Sequence, residues 1–521
     1  MSESYANERA LGAGEMGERW RSATTTVVGV SLLTMLLAAT NVVNWVATDG
    51  SLASVAVTTL YATALLVSGV LLVAVGVASS LNVVSTDAND RAGSLSGLPI
   101  GAVVLVVVGL VCSQTLGYGA IVWAPAALVG GVVAFFLGSL AREDLAATLP
   151  WGLLAVLVSL LLFAGVVTPE WQWSPQDLGF AFKGIITIPV LAFVTSLFTA
   201  WAAAKATQGF GARGRQTGAY LLIGTNALFM LMLLFFLVAF VTQKGAPRAL
   251  EGAHLGPGIS IHVPFVMNSA NPFGVSGILP AIVGTFWLVV GALLFSAPLG
   301  VGAAVFLAEY AEIGAFTTVV DIATDGLWST PSIVYGLFGF AFLLPRLTPN
   351  GTPSLLAGML VLGFMLIPLI LITSREAIQS VPDGYRDASV ALGVNRWQTI
   401  RSVVLPAAIP GILTGIILGV GRIAGETAPL LLVAVHDLSP SDYNHVISSF
   451  RFTASPPFVA NDALLSSTTA LPYQIYAVIE TGVAGKPEFG WATAFVLLLV
   501  VICLYAVGIA TRMYFQRKLE Q

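Results

Sequence analysis

Residues Arg386 to Pro406 read R-D-A-S-V-A-L-G-V-N-R-W-Q-T-I-R-S-V-V-L-P. They lie in a polar segment, about Arg375 to Ser402, wedged between two long apolar runs, so they belong at a membrane surface yet carry signals of ordered structure. Asp383 is a candidate cap for a first short helix bearing Tyr385, Ala388, Ala391 and Leu392. Gly393 stands where the chain needs a left-handed residue to end that helix. Asn395 can open a second helix with Gln398 three residues on, the spacing of a capping box, and Trp397, Ile400 and Val404 follow at helical intervals. Pro406 suits the first turn of the next membrane helix. Such a helix–turn–helix either docks into another protein or lies on the bilayer as an amphipathic segment.

The rest of the chain puts the bend in context. Of 521 residues, 57% are hydrophobic and 9% charged, too little polar surface to clothe a soluble globule. The expectation is an all-α, polytopic helical membrane protein with about twelve transmembrane helices. The apolar spans fall near 25–47, 54–78, 98–117, 119–140, 149–168, 184–204, 218–242, 277–308, 322–345, 354–374, 407–435 and 489–511. With an inside N-terminus, the inner segments hold 15 of the 22 basic residues, which puts both termini and the bend in the cytoplasm of a plasma-membrane protein.

Composition also excludes several classes. Cys112 and Cys503 lie inside apolar runs, and the four histidines lie in loops without ligand spacing, so no disulfide framework, metal site or catalytic group is expected. A net charge of −4 argues against a nucleic-acid binder, and no G-x-x-x-x-G-K-[ST] loop is present, so no nucleotide is expected on this chain. Four segments are expected: a cytoplasmic N-terminal stretch at 1–24, an additional membrane region of about six helices at 25–207, a basic glycine-rich linker at 208–217, and a second membrane domain at 218–521. The first membrane region reads as a scaffold or lipid-facing belt, with a regulatory or partner-binding role as the other use.

In the second region the bend resembles the cytoplasmic loop of ABC importer permeases, patterned Glu-Ala-Ala, three residues, Gly, nine residues, Ile-x-Leu-Pro. Here it reads Asp387-Ala388-Ser389, Gly393, then Val403-Val404-Leu405-Pro406, with both spacings kept and Asp, Ser and Val as departures. Further stretches resemble phosphate-importer permeases of the PstA type: Gly277 to Thr285, Phe306 to Ala311, Pro331 to Gly339, and Arg422-Ile423-Ala424-Gly425-Glu426-Thr427-Ala428-Pro429. The resemblance implies a type I ABC importer permease fold in the C-terminal half and a bend that carries ATPase motion through Asp387, Ala388, Gly393, Trp397, Leu405 and Pro406. It further implies an ATPase subunit dimer that binds ATP and Mg, a second permease subunit (PstC-type) or a homodimer, and an extracytoplasmic phosphate-binding protein.

Arg422 and Glu426 stand out on physical grounds alone. At i and i+4 on a helix they share one face, and each is costly alone in hydrocarbon, about 3 kcal/mol on insertion scales. A guanidinium matches phosphate oxygens and keeps its charge, so Arg422 is the candidate contact for an oxyanion, with Glu426 holding it and Ser332, Tyr335 and Thr427 adding hydroxyls to the path. A structural ion pair, and hydroxyls that only bond across packed helices, are the other readings. Pro429 is expected to break the helix just beyond. Glu309 reads as an interfacial residue near a span end. Two long outer segments, Thr242 to Ser276 and His436 to Glu488, offer aromatic residues and Pro456-Pro457 to a binding protein. A permease for another solute and a twelve-span secondary transporter are the alternatives.

Overall fold

The computed structural model describes residues 15–520 apart from 176–178, 180, 257–259, 270–276, 313, 349, 436–445, 455–457 and 482–486. His436, His445 and Pro456-Pro457 thus lie outside the described residues, as do parts of both long outer segments. Among the described residues, eleven helices are long and apolar enough to cross a membrane, or twelve if one bent pair counts as a single span. The chain divides into two compact units, Met1–Phe236 and Leu237–Gln521.

The first unit holds α1 (Glu15–Val42), α2 (Val57–Ser80), α3 (Ser94–Leu110), α4 (Ala120–Leu140), α5 (Glu143–Phe163), α6 (Gly184–Thr207) and the first part of α7 (Gly211–Ala249). Small residues let these helices approach closely, since no hydrophobic drive separates helix from lipid. On α2, a Cβ at Gly69 would stand 2.7 Å from the Gly152 carbonyl of α5. The polar residues 15–24 continue α1 inward, and Trp20 is buried there with its indole N–H donating to Ala206 O at 2.9 Å.

The expected linker at 208–217 is instead a tight turn at 208–210, with Phe210 at φ 65° and buried, and the first turns of α7. The division between units falls inside α7 instead of at that stretch, because the first half of α7 packs back on α6: a Cβ at Gly218 would meet Lys205 and Trp201. Patterning alone gave no sign of the charge buried at this end. Glu143 and Asp144 are both buried, Glu143 held by Arg215 at 2.9 Å and Asp144 by Ser79 at 2.7 Å and Arg142 at 3.3 Å. Lys205 lies over the Trp201 ring at 4.2 Å. Pairing is what makes these burials tolerable.

The second unit contains the end of α7, a short α8 (Pro264–Met267), and α9 (Leu279–Val305), which finishes in a π turn at Phe306–Tyr310. Then α10 (Ala315–Ser329) meets the helix of α11 (Ser332–Phe338) and α12 (Leu344–Leu347) at a bend of 100°. The core is α13 (Leu355–Gln379), whose Leu362, Leu366 and Ile370 are fully buried together with Leu288 and Ala292 of α9. Ser354 caps α13 by accepting from Ala357 N at 3.2 Å. The bend is α14 (Asp383–Ala391) and α15 (Arg396–Thr399), followed by α16 (Leu405–Ala424), α17 (Ala428–Val433), α18 (Asp462–Leu465), α19 (Leu471–Thr481) and α20 (Pro487–Glu520). Among the described residues strand is confined to four short antiparallel hairpins in loops, such as Phe450–Phe452 paired with Val459–Asn461.

Replacing Gly69 by Leu should force α2 off α5 and cost about 1–3 kcal/mol by overpacking. A lowered melting temperature of the purified protein, against an unchanged Gly29→Leu control whose Cβ meets nothing within 4 Å, checks this.

Candidate functional site

Local chemistry makes the bend rigid. α14 begins at Asp383 with Pro382 before it, and no side chain caps it; Asp383 instead pairs with Arg386 at 3.2 Å, a correction to its expected capping role. Proline ahead of the first turn already fixes the entry, so the carboxylate is free to turn toward the guanidinium. Gly393 has φ +73° and ends the helix. Its N–H donates to Val390 O at 2.9 Å and that of Val394 to Ser389 O at 3.1 Å, the paired bonds of a Schellman stop. Asn395 then caps α15, accepting from Gln398 N at 2.9 Å while the Gln398 side chain accepts from Asn395 N at 3.4 Å.

Arg386 fastens the bend to the membrane helices. Its guanidinium donates to Glu309 at 2.7 and 3.2 Å and to the carbonyls of Val381 at 2.7 Å and Ile378 at 3.0 Å. Glu309 is 7% exposed and sits in the π turn that ends α9, so its expected role as a free interfacial residue gives way to an internal pair. Arg396 lies 5.1 Å over the neighbouring Tyr310 ring. Held this way, the bend leaves an apolar edge uncovered: Leu392 is 82% exposed, with Tyr385, Val390 and Trp397 also exposed. Asp387, Ala388 and Gly393 are on the surface too, whereas Leu405 and Pro406 are half-buried.

Pro406 does not start a separate helix. A π turn, Ile400–Val404, joins α15 to α16, and the Leu405 N–H donates to Ile400 O five residues back. The wider turn passes the position where proline has no N–H to give. Residues Arg396–Ala424 are consequently one 29-residue helical run, about 44 Å long at 1.5 Å per residue.

The far end of that run meets the 100° bend. α16 stops at Ala424 with Gly425 as its cap, because Pro429 lacks an N–H and its ring would clash with the Gly425 carbonyl four residues back. Glu426 therefore lies beyond the helix, which corrects the expected shared helical face, while the break that Pro429 was expected to cause is present. Pro331 breaks the other span in the same way, and the Leu327 carbonyl accepts instead from the Thr330 N–H at 3.2 Å and from the Tyr335 hydroxyl at 2.8 Å. The two breaks adjoin: a Cβ at Gly336 would stand 2.8 Å from Pro429 Cα.

At this junction Arg422 Nε is 3.8 Å from Glu426 Oε1, and the guanidinium lies 4.3 Å over the Trp328 ring. The pair is too long for a hydrogen bond, so the planar N–H donors of Arg422 have no hydrogen-bond partner among the described residues. Thr427 follows Glu426 in the unwound link, half-buried. Ser332 is half-buried in the first turn of α11 without a bond to the Arg422 group. A cleft of about 410 Å³, apolar but for Thr330, lies beside Tyr335, Phe338 and Phe364. The sequence reading missed Glu309 and Trp328 as partners; a lone acid closing an apolar span, and an aromatic three residues before a mid-span proline, were the available signals.

The second unit is thus a bundle of membrane-length helices with an exposed polar bend between two of them. The family model described as "Binding-protein-dependent transport system inner membrane component" matches residues 296–521. The phosphate transport system permease protein PstA of Haemophilus influenzae is 32% identical over 60% of this chain and 99% of its own length. That of Xylella fastidiosa is 33% identical over 47% of this chain and 78% of its own. The probable ABC transporter permease protein YqgI of Bacillus subtilis is 40% identical over 30% of this chain and 53% of its own. The chain belongs to the family of ABC importer permeases that the PstA proteins represent, and this sets aside the secondary transporter. About two-fifths of the chain lies outside the likeness to the Haemophilus protein.

Replacing Glu309 by Gln should loosen the bend without unfolding the bundle. Charge-assisted hydrogen bonds contribute about 1.5–3 kcal/mol, so amide hydrogen exchange across Asp383–Leu392 should quicken at least about tenfold while Leu362–Ile370 stays protected.

Proposed function

We propose that this chain is a permease subunit of an ATP-driven phosphate importer in the plasma membrane, with both termini cytoplasmic. The observation that carries the reading is the continuous run Arg396–Ala424, which starts in the exposed bend and ends at Arg422. A partner ATPase dimer, which binds ATP and Mg, grips the bend at Asp387, Ala388, Gly393 and Trp397, and Leu405 and Pro406 pass its motion into the run. Arg422 meets the anion in transit, with Glu426 and Trp328 steadying it and Thr427, Ser332 and Tyr335 lining the way. The names of the PstA relatives and the unsatisfied guanidinium support phosphate as the cargo. A PstC-type subunit or a second copy of this chain completes the path, and an extracytoplasmic binding protein delivers the anion at the outer loops.

The test is uptake of labelled phosphate and sulfate into vesicles holding the assembled complex, with and without an intact ATPase. Arg422→Gln should cut phosphate uptake at least about tenfold, the factor set by losing one charged hydrogen bond, with complex assembly unchanged. Gly393→Leu should abolish substrate-stimulated ATP hydrolysis, because a side chain at φ +73° costs about 1–2 kcal/mol and unmakes the stop between the two short helices. Normal phosphate uptake by Arg422→Gln, or sulfate preferred over phosphate, overturns the assignment of site or cargo.

A further inference from the structure

The hairpin between α7 and α8 carries a pair of side chains that the transport reading does not use. Its strands, His254–Gly256 and Ser260–His262, run antiparallel, and the register sets His254 directly opposite His262. Eight residues apart in the chain, the two histidines give no ligand signal by their spacing; the hairpin is what brings them together. Directly opposed residues of an antiparallel pair hold their side chains on one face of the ribbon. Here both imidazoles are exposed, with ring centroids 5.0 Å apart and planes tilted by 51°.

That separation suits a shared ion. Two imidazoles bound at about 2.0–2.1 Å to one tetrahedral metal have ring centres about 5 Å apart. The tautomer of His254 is also set. Its Nδ1 lies 2.9 Å from the Gly252 carbonyl, which can only accept, so the proton is on Nδ1 and Nε2 keeps its lone pair. Donation of the second ring N–H to a backbone carbonyl is the outer-shell bond that fixes metal-binding histidines. His262 makes no side-chain hydrogen bond among the described residues, and its ring meets only that of His254.

We propose that His254 and His262 form a binding site for a divalent transition metal of the zinc class, which imidazole nitrogen prefers over magnesium or calcium. Among the described residues no third histidine, cysteine, aspartate or glutamate completes a closed set, so water fills the remaining positions and the ion exchanges with solvent. The ion ties together the ends of the hairpin. The second strand leads straight into α8, whose Phe265 is buried against Phe489 of α20, so the ion braces the connection from α7 to α9. The site does not depend on the cargo.

The full chain, purified in detergent without a histidine tag and stripped with chelator, is titrated calorimetrically with the chlorides of zinc, nickel and magnesium. A single zinc or nickel ion should bind per chain, and magnesium should not. Loss of even an outer-shell partner costs about 10–100-fold in metal affinity, so His254→Ala and His262→Ala should each weaken zinc binding at least about tenfold. The double substitution His436→Ala, His445→Ala, which removes the other two histidines of the chain, should leave it unchanged. Absence of zinc binding, binding that survives either single substitution, loss of binding in the His436→Ala, His445→Ala protein, or equal binding of magnesium would each overturn the proposal.

Discussion

In hydrocarbon a backbone amide or carbonyl without a partner is costly enough that a chain can leave the helix only where something else takes up the freed groups. Two prolines impose such exits here. At Pro331 the carbonyl of Leu327 accepts from the Thr330 N–H and from the Tyr335 hydroxyl, and Pro429 packs against the first break through the absent side chain of Gly336. Neither break would be tolerable facing lipid, so each serves as the other's shelter. That places an arginine, a carboxylate and an indole where the two broken spans meet.

The same constraint explains why the opposite end is stiff. A bend at the membrane surface has water for its polar groups and could hang loosely, but Arg386 spends its donors on a buried acid and two helix-terminal carbonyls. Those carbonyls belong to the end of α13 and the residues just after it, and the acid to the end of α9, the two helices that share the core. A force applied at the exposed edge of Leu392 and Trp397 is thus delivered to packed helices, with little lost in loop motion.

Much of this was legible in the sequence. Among the described residues eleven of the twelve apolar spans match single membrane-length helices and the one near 322–345 is a pair bent by 100°; the glycine stop and capping box of the bend were readable because each rests on contacts within a few residues. What failed were inferences of continuity. The pattern of Arg422 and Glu426 was read as an unbroken helix although Gly425 and Pro429 together forbid one; Pro406 does stand in the first turn of α16, but a π turn joins that helix to α15. Long-range partners were invisible for a different reason. Nothing near Glu309 in the sequence names Arg386, 77 residues on, and Glu143 looks like an ordinary loop charge until folding brings Arg215 to it.

The looseness at Arg422 is itself informative. An arginine at membrane depth that only steadied packing would gain most from a close, forked pair with its carboxylate, as Arg386 has with Glu309. Instead the nearest approach is 3.8 Å and the ring of Trp328 supplies the other contact, an attraction that fixes the plane of the guanidinium and leaves its edges open. The helix terminus beneath it adds a partial negative charge that favours the cation without bonding to it. An oxyanion arriving in the plane of that group would find donors already oriented, and the nearby carboxylate would limit how tightly it is held. Under the proposed transport role, that balance would let the site release its ligand.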